Sequence, residues 1–161
     1  MLNKSIKLAV EKHGGQMYGL KPYIYHLVNV YSEVRKYEYN EEILSLAFLH
    51  DTLEDTKITK EELAEISKMM PEYVELLTKV HFNSYFDRCS KYYATAIVKM
   101  ADRIVNVREC VIFGKRKQFY KYYKQRKKFR VIYPKLPFKM ILTLEILYLR
   151  GLISSFRILP C

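Results

Sequence analysis

Along most of the chain, apolar positions recur at the three-to-four-residue spacing of helices that bury one side. Ile6, Leu8, Ala9 and Val10 make one or two turns between Ser5 and Lys12, and the Gly14-Gly15 pair ends them. A loop, GGQMYGLKP, follows, and Pro22 reads as the first residue of the next helix, where a missing N–H costs nothing. Tyr25, Val28, Tyr31 and Val34 carry that helix to about Lys36, with His26 about one turn inside it. Asn40 is a good cap for EEILSLAFLHDTLEDT, and Glu41 and Glu42 suit the positive end of its dipole. This segment is apolar nearly all round and is therefore expected to be central, and acidic residues at its end are costly unless something binds them.

Thr59 and Glu62 have capping-box spacing and start a helix through roughly Met69, and Pro71 opens another with Val74, Leu76, Leu77 and Val80. Lys91 to Cys110 is a long helix whose apolar face runs through Ala94, Ile97, Val98, Ala101, Ile104 and Val105. After Gly114 a basic, tyrosine-rich segment is helical to Arg130, and after Pro134 and Pro137 a last amphipathic helix spans Lys139 to Leu149. The pattern predicts an all-α protein of one domain over residues 1–161, with a core at about 5–110 and basic C-terminal helices at about 115–150.

Composition sharpens this picture. Half of the 161 residues are hydrophobic and only ten are Gly or Pro, as suits a packed helical domain. Cys89, Cys110 and Cys161 are odd in number and form no CxxC pair, so no disulfide framework or zinc knuckle is expected and a cytoplasmic location is. Lys4, Lys7, Glu11 and Lys12 break up any signal-peptide core, and Thr143 and Glu145 interrupt the longest apolar stretch, so no membrane span is expected. The net charge of +11 implies a phosphate-rich partner, a small phosphorylated nucleotide or a nucleic acid. Its unevenness matters, because the stretch from Lys115 to Arg130 contains nine Lys or Arg and no acid. Basic residues with interleaved aromatics could grip single-stranded nucleic acid there, although a solvated face that draws in a charged nucleotide is the plainer reading.

The densest chemistry is His50-Asp51 followed by Glu54-Asp55. On one helix, His50 and Glu54 would share a stripe and Asp51 and Asp55 the next. An imidazole and oxygen donors are what a divalent transition ion takes from a protein, and a spare carboxylate can orient or deprotonate a water. Alone, the dipeptide is weak evidence. Two further oddities strengthen it: His26 upstream in PYIYH, and Asp102 in the middle of an apolar face, where an unpaired carboxylate is expensive to bury.

PYIYH, AFLHDTLEDT and KMADRIVNVR, in that order and spacing, resemble the successive signatures of the alarmone-hydrolase branch of the HD-domain superfamily, which degrades (p)ppGpp. The resemblance covers roughly residues 5 to 110 and implies an HD-type helical bundle. It implies His26, His50, Asp51 and Asp102 as ligands of one divalent ion, usually manganese, and Glu54 and Asp55 as the groups that activate and position the attacking water. It further implies nucleotide contacts from Asn106, Lys99 and Arg103. The branch generally has an arginine in the loop after the Gly-Gln pair; this chain reads GQMYGLK there, about one residue shorter, and Lys21 or Tyr18 are the candidates to replace it. The implied reaction is removal of the 3′-pyrophosphate, by degradation only, the chain ending where a synthetase domain would begin. Another nucleotide, a deoxynucleoside triphosphate, a nucleoside monophosphate or a cyclic nucleotide, is the alternative substrate, because the metal core does not encode the base. His13 and His81 have no comparable neighbours and read as surface or loop residues, and Asp87 beside Arg88 as a solvated ion pair.

Overall fold

The computed structural model describes residues 1–79 and 84–156. Its helices are α1 (Leu2–His13), α2 (Ile24–Val34), α3 (Glu41–Leu49), α4 (Thr52–Asp55), α5 (Lys60–Ala64), α6 (Met70–Leu77), α7 (Tyr85–Cys89), α8 (Tyr93–Ile112), α9 (Arg116–Phe129) and α10 (Phe138–Phe156). A 3-10 segment, Arg130–Lys135, joins the last two. The all-α expectation holds, and among the described residues no helix is long and apolar enough to cross a membrane. The long helix α8 is the axis, packed against α2, α3, α6, α7, α9 and α10. Its buried face runs from Ala94 to Val107, and α3 is buried from Ile43 through Leu49, as an all-round apolar segment should be.

Local signals set several boundaries. The Asn40 side chain accepts from the Glu42 and Ile43 amides at the start of α3, and Thr59 and Glu62 close a capping box at α5. Pro71 sits in the first turn of α6. Glu33, buried on α2, accepts from Arg108 of α8 at 2.9 Å and from Lys36 at 2.6 Å, which fastens the two helices together.

Four expectations give way. The helix opened at Thr59 ends at Ala64 rather than near Met69, the chain turning as the Ile66 amide donates to the Leu63 carbonyl at 3.0 Å. The segment from Glu41 to Asp55 is two helices: α3 stops at Leu49, and Asp51 takes φ −103°, ψ 0° before α4. The cause is local, since His50 Nδ1–H donates to the Ala47 carbonyl (2.9 Å) and the Thr52 hydroxyl to the Leu49 carbonyl (2.7 Å), so side chains satisfy carbonyls that a continuing helix would have used. The loop before α2 is a small antiparallel hairpin, β1 (Met17–Tyr18) with β2 (Lys21–Pro22), turning at Gly19 with φ 63°. Pro22 therefore lies in an extended strand rather than opening α2, and Tyr23, whose amide donates to the Gln16 carbonyl at 2.9 Å, caps the helix instead. Finally, His13 is buried, stacked on Tyr23 with ring centroids 4.6 Å apart, and its Nδ1 lies 2.7 Å from the Gln16 side-chain oxygen. His81 lies outside the described residues.

A close approach between α9 and α10 makes a testable point about packing. A Cβ on Gly151 would lie 2.1 Å from the buried ring of Phe119, which is itself packed against Tyr120, Tyr123 and Tyr148. Gly151→Ala should therefore destabilise the protein by about 1–3 kcal/mol, although alanine is the better helix former. A urea titration showing the variant at or above wild-type stability would mean that the ring moves aside freely.

Candidate metal and phosphate site

Four elements converge on one hollow. His26 is the third residue of α2, His50 caps the C-terminal end of α3, Asp51 occupies the joint before α4, and Asp102 lies at the middle of α8. Ligand atoms of His26, His50 and Asp51 lie within 4.8 Å of one another. His50 Nε2 is 2.9 Å and His26 Nε2 3.8 Å from Asp51 Oδ2. These residues join Glu54, Asp55 and Asn106 on the wall of a cavity of about 470 Å³, His50 sitting just behind it.

The hydrogen bonding states what this group can hold. Because His50 Nδ1 must carry a proton to donate to the Ala47 carbonyl, a neutral ring presents the lone pair of Nε2 towards the Asp51 carboxylate. That buried Nε2 has no hydrogen-bond partner, and neither has the buried Nδ1 of His26. A lone pair on a buried nitrogen facing an anion is unfavourable unless a cation lies between them. Without one, only a proton can relieve the clash: burial pulls the His50 pKa down, but the Asp51 carboxylate, with Asp102 behind it, outweighs this and holds it above the usual value. Two imidazoles and a carboxylate are a donor set that fits a divalent transition ion. Tyr23 completes the near wall, donating its hydroxyl to Asp51 Oδ2 at 2.5 Å, and burial together with that carboxylate keeps its phenol protonated.

Asp102 stands at the edge of this group. Its Oδ1 is 3.4 Å from His26 Nε2 and accepts from the Asn106 amide, while its Oδ2 takes the Lys99 ammonium at 2.6 Å. Burial alone would raise its pKa, yet Lys99 and the two histidines hold it well below the carboxylate range. Lys99 is thus a buried partner of Asp102 that also borders the cavity. Arg103 reaches the same cavity but is pinned, donating to the Tyr122 carbonyl (3.3 Å) and Gln125 (2.9 Å) and lying over the Tyr122 and Phe129 rings. Glu54 accepts from the Lys79 amide (3.2 Å) and lies 3.4 Å from its ammonium, and Asp55 is exposed beside it.

Of the two candidates in the hairpin, the structure brings in one. Tyr18 stacks on His26 (centroids 4.8 Å apart) and donates its hydroxyl to Asn106 Oδ1 at 2.6 Å. Lys21 points elsewhere, over the rings of Tyr25 and Phe113, and is not on the cavity wall. Sequence reasoning passed over Lys79, Tyr85, Tyr122 and Gln125, which also line the cavity. For Tyr122 and Gln125 there was a signal: they fall between Phe119 and Phe129, the buried marks of the inward side of α9. Next to the cavity, and sharing Tyr18, Asn106, Lys121 and Tyr122 with it, an open groove of about 1070 Å³ is edged by Lys115, Arg116, Lys117 and Lys124.

No family model matches the chain. It is similar to guanosine-3′,5′-bis(diphosphate) 3′-pyrophosphohydrolase of Aquifex aeolicus (strain VF5), with 32% identity over 130 residues, covering 73% of this chain and 19% of that protein. It is also similar to GTP pyrophosphokinase rsh of Brucella ovis, with 29% identity over 124 residues, covering 67% of this chain and 16% of the relative. The chain thus spans less than a fifth of the length of these relatives. A solved structure, described as a metazoan ortholog of SpoT that hydrolyzes ppGpp, superimposes with a TM-score of 0.77 over 92% of this chain and 94% of that one, at 20% identity, and so shares the fold.

Proposed function

Because the chain belongs to the (p)ppGpp-hydrolase branch of the HD-domain superfamily, we propose that it is a metal-dependent phosphohydrolase that removes the 3′-pyrophosphate from (p)ppGpp-like nucleotides. The observation that carries this reading is the group of the buried His26 and His50 with the half-buried Asp51, with its unpartnered His50 Nε2 aimed at a carboxylate on the edge of a cavity. His26, His50 and Asp51 would hold the ion, manganese by the habit of this branch, with Asp102 as a fourth ligand. When bound, such an ion supplies acidity to a water and positive charge to a phosphoryl oxygen.

The chain's own residues do the rest. Tyr23 and the Ala47 carbonyl fix the orientation of Asp51 and His50 before any ligand arrives. Water attacks the phosphorus next to the 3′-oxygen; the P–O bond to that oxygen breaks, pyrophosphate leaves and a 3′-hydroxyl remains. Glu54 takes the water's proton, which passes on to the departing 3′-oxygen, and Asp55 orients the water, both being carboxylates on the cavity wall. To do so Glu54 must let go of Lys79, which is then free to meet a phosphate. Lys99 keeps Asp102 ionised, and Tyr18, Asn106 and Arg103 border the space left for the nucleoside. The basic groove beside the cavity raises the local concentration of a polyanionic substrate.

The test is release of phosphate or pyrophosphate from ppGpp, GTP, dGTP, GMP and a cyclic dinucleotide, with manganese and with EDTA. Pyrophosphate from ppGpp alone, in manganese and not in EDTA, is the expected result. Turnover of a different nucleotide would keep the metal chemistry and replace the substrate, and no turnover of any would overturn the proposal. Reversing Lys117 and Lys124 to Glu should raise KM about tenfold with little change in kcat, since these groups line the groove and not the cavity that holds the ligand group.

A further inference from the structure

The last helix has two apolar sides, and the fold uses one of them. Met140, Leu144, Leu147, Tyr148 and Gly151 of α10 are buried, the helix packing on α8 and α9. On the opposite side Phe138 (74% exposed), Leu142 (45%), Ile146 (41%), Leu149 (59%) and Ile153 (55%) lie open. From Leu142 onward these positions step by four, three and four residues, the spacing of a coiled-coil seam rather than of scattered surface residues. With Ile146 and Ile153 at a positions, Leu142 and Leu149 fall at d and Lys139 at the preceding a. Isoleucine at a with leucine at d is the combination that favours two parallel strands, and a single polar a residue fixes register and pair number.

We propose that this face is the interface of a homodimer, formed by parallel pairing of α10 with α10 of a second copy. Three observations favour another copy of this chain over a different occupant. The first is the seam itself, whose a and d residues match those of a two-stranded pair with itself. The second is charge: Glu145 takes the g position before Ile146 and Arg150 the e position after Leu149, so in a parallel pair Glu145 of each copy reaches Arg150 of the other. Arg150 is exposed on one flank of the seam, and Glu145, half-buried on the other, already meets Arg130 at 3.2 Å and accepts from the Tyr133 hydroxyl at 3.0 Å. The third is area: weighted by their exposures, the five side chains present roughly 550 Å² of open surface per copy, at the upper end of the largest apolar patch a monomer leaves exposed. Buried completely, these residues would contribute at most about 1,100 Å² to a pair, close to the roughly 1,000 Å² at which specific interfaces begin. Its modest size places it with transient rather than obligate pairs, at the weak, micromolar end of the range such interfaces span. With a net charge of +11 on each copy, the pair should also tighten as salt rises, because screening removes long-range repulsion.

The experiment is sedimentation equilibrium of the full chain from about 1 to 200 µM, a span that brackets the expected midpoint. Wild type should pass from monomer to dimer across this range, more readily in high salt. Ile146→Lys with Leu149→Lys should stay monomeric throughout, with unchanged helical circular dichroism and unchanged thermal midpoint at 1 µM, where wild type is monomeric too. Orientation has its own readout. In a Cys161→Ser background, Leu149→Cys should oxidise to a self-linked dimer, as it does only if the two copies of position 149 meet. A wild-type monomer at every concentration would overturn the proposal, as would a dimer indifferent to the two lysines. Failure of Leu149→Cys to cross-link would overturn the parallel arrangement. Binding of a monomeric wild type to anionic phospholipid vesicles, lost in the double variant, would assign the face to a membrane surface instead.

Discussion

Asp51→Ala is expected to lower nucleotide hydrolysis by on the order of a thousandfold or more and to remove stoichiometric manganese binding. Asp51 is the residue that ties the group together: its Oδ2 lies 2.9 Å from His50 Nε2, 3.8 Å from His26 Nε2 and 2.5 Å from the Tyr23 hydroxyl. Truncation also strands the Tyr23 hydroxyl, so some loss of stability belongs to that phenol and not to the chemistry. Asp51→Asn separates the two effects, since the amide oxygen still accepts from Tyr23 while the charge is gone. Both variants should be equally inactive, and the Asn variant should melt closer to wild type. Activity within about tenfold of wild type in both, measured as pyrophosphate release at saturating manganese, would remove Asp51 from the mechanism.

Lys99→Met should produce the largest loss of stability. Lys99 and Asp102 are both buried, 2.6 Å apart, and taking away the ammonium leaves an ionised carboxylate in the interior of α8. Breaking a buried pair in this way costs about 3–5 kcal/mol. In a chain of this length that is a fall of roughly 10 °C in Tm. Manganese should recover part of it, because a bound cation gives Asp102 another partner, and the shift between EDTA and manganese should be larger in the variant than in wild type. Lys99→Met with Asp102→Leu should regain most of the stability, as apolar replacement of a buried pair commonly does, yet remain inactive. Differential scanning calorimetry checks both. A single variant as stable as wild type would mean that Asp102 is sustained by Asn106 and the histidines alone.

How much of this could be read from the chain depended on whether a signal was local. The Asn40 cap, the Thr59–Glu62 box and Pro71 act within one turn, and the helices they start begin where the sequence places them, although those after Asn40 and Thr59 end early, at Leu49 and Ala64. The break at His50 did not show, because the apolar run continues through it and His50 Nδ1 and the Thr52 hydroxyl end α3 by side-chain bonds that no periodicity reveals. The stripe pairing of His50 with Glu54 consequently does not exist as a helical face, and it is the joint that turns Asp51 towards His26. His26, His50, Asp51 and Asp102 were marked by their motifs, whereas the place of Asp102 beside Lys99 is a tertiary fact. Tyr18 and Lys21 were equal candidates three residues apart, and the turn at Gly19 sends one to the cavity and the other to Tyr25 and Phe113. The burial of His13 has a related cause: its partners Gln16 and Tyr23 lie on either side of the hairpin, and only the hairpin's closure brings them to the end of α1.

The notch at Gly151 reaches further than packing. Phe119, seated in it, lies in the first turn of the helix that carries Lys121, Tyr122 and Gln125 along the cavity, so the position of that wall is set from behind by a residue that lines neither the cavity nor the groove. The two sites are therefore coupled as partners in volume. Among related chains, a side chain larger than hydrogen at 151 should travel with a residue smaller than phenylalanine at 119, and a change at either one alone should loosen the grip on nucleotide while leaving the ligand set intact.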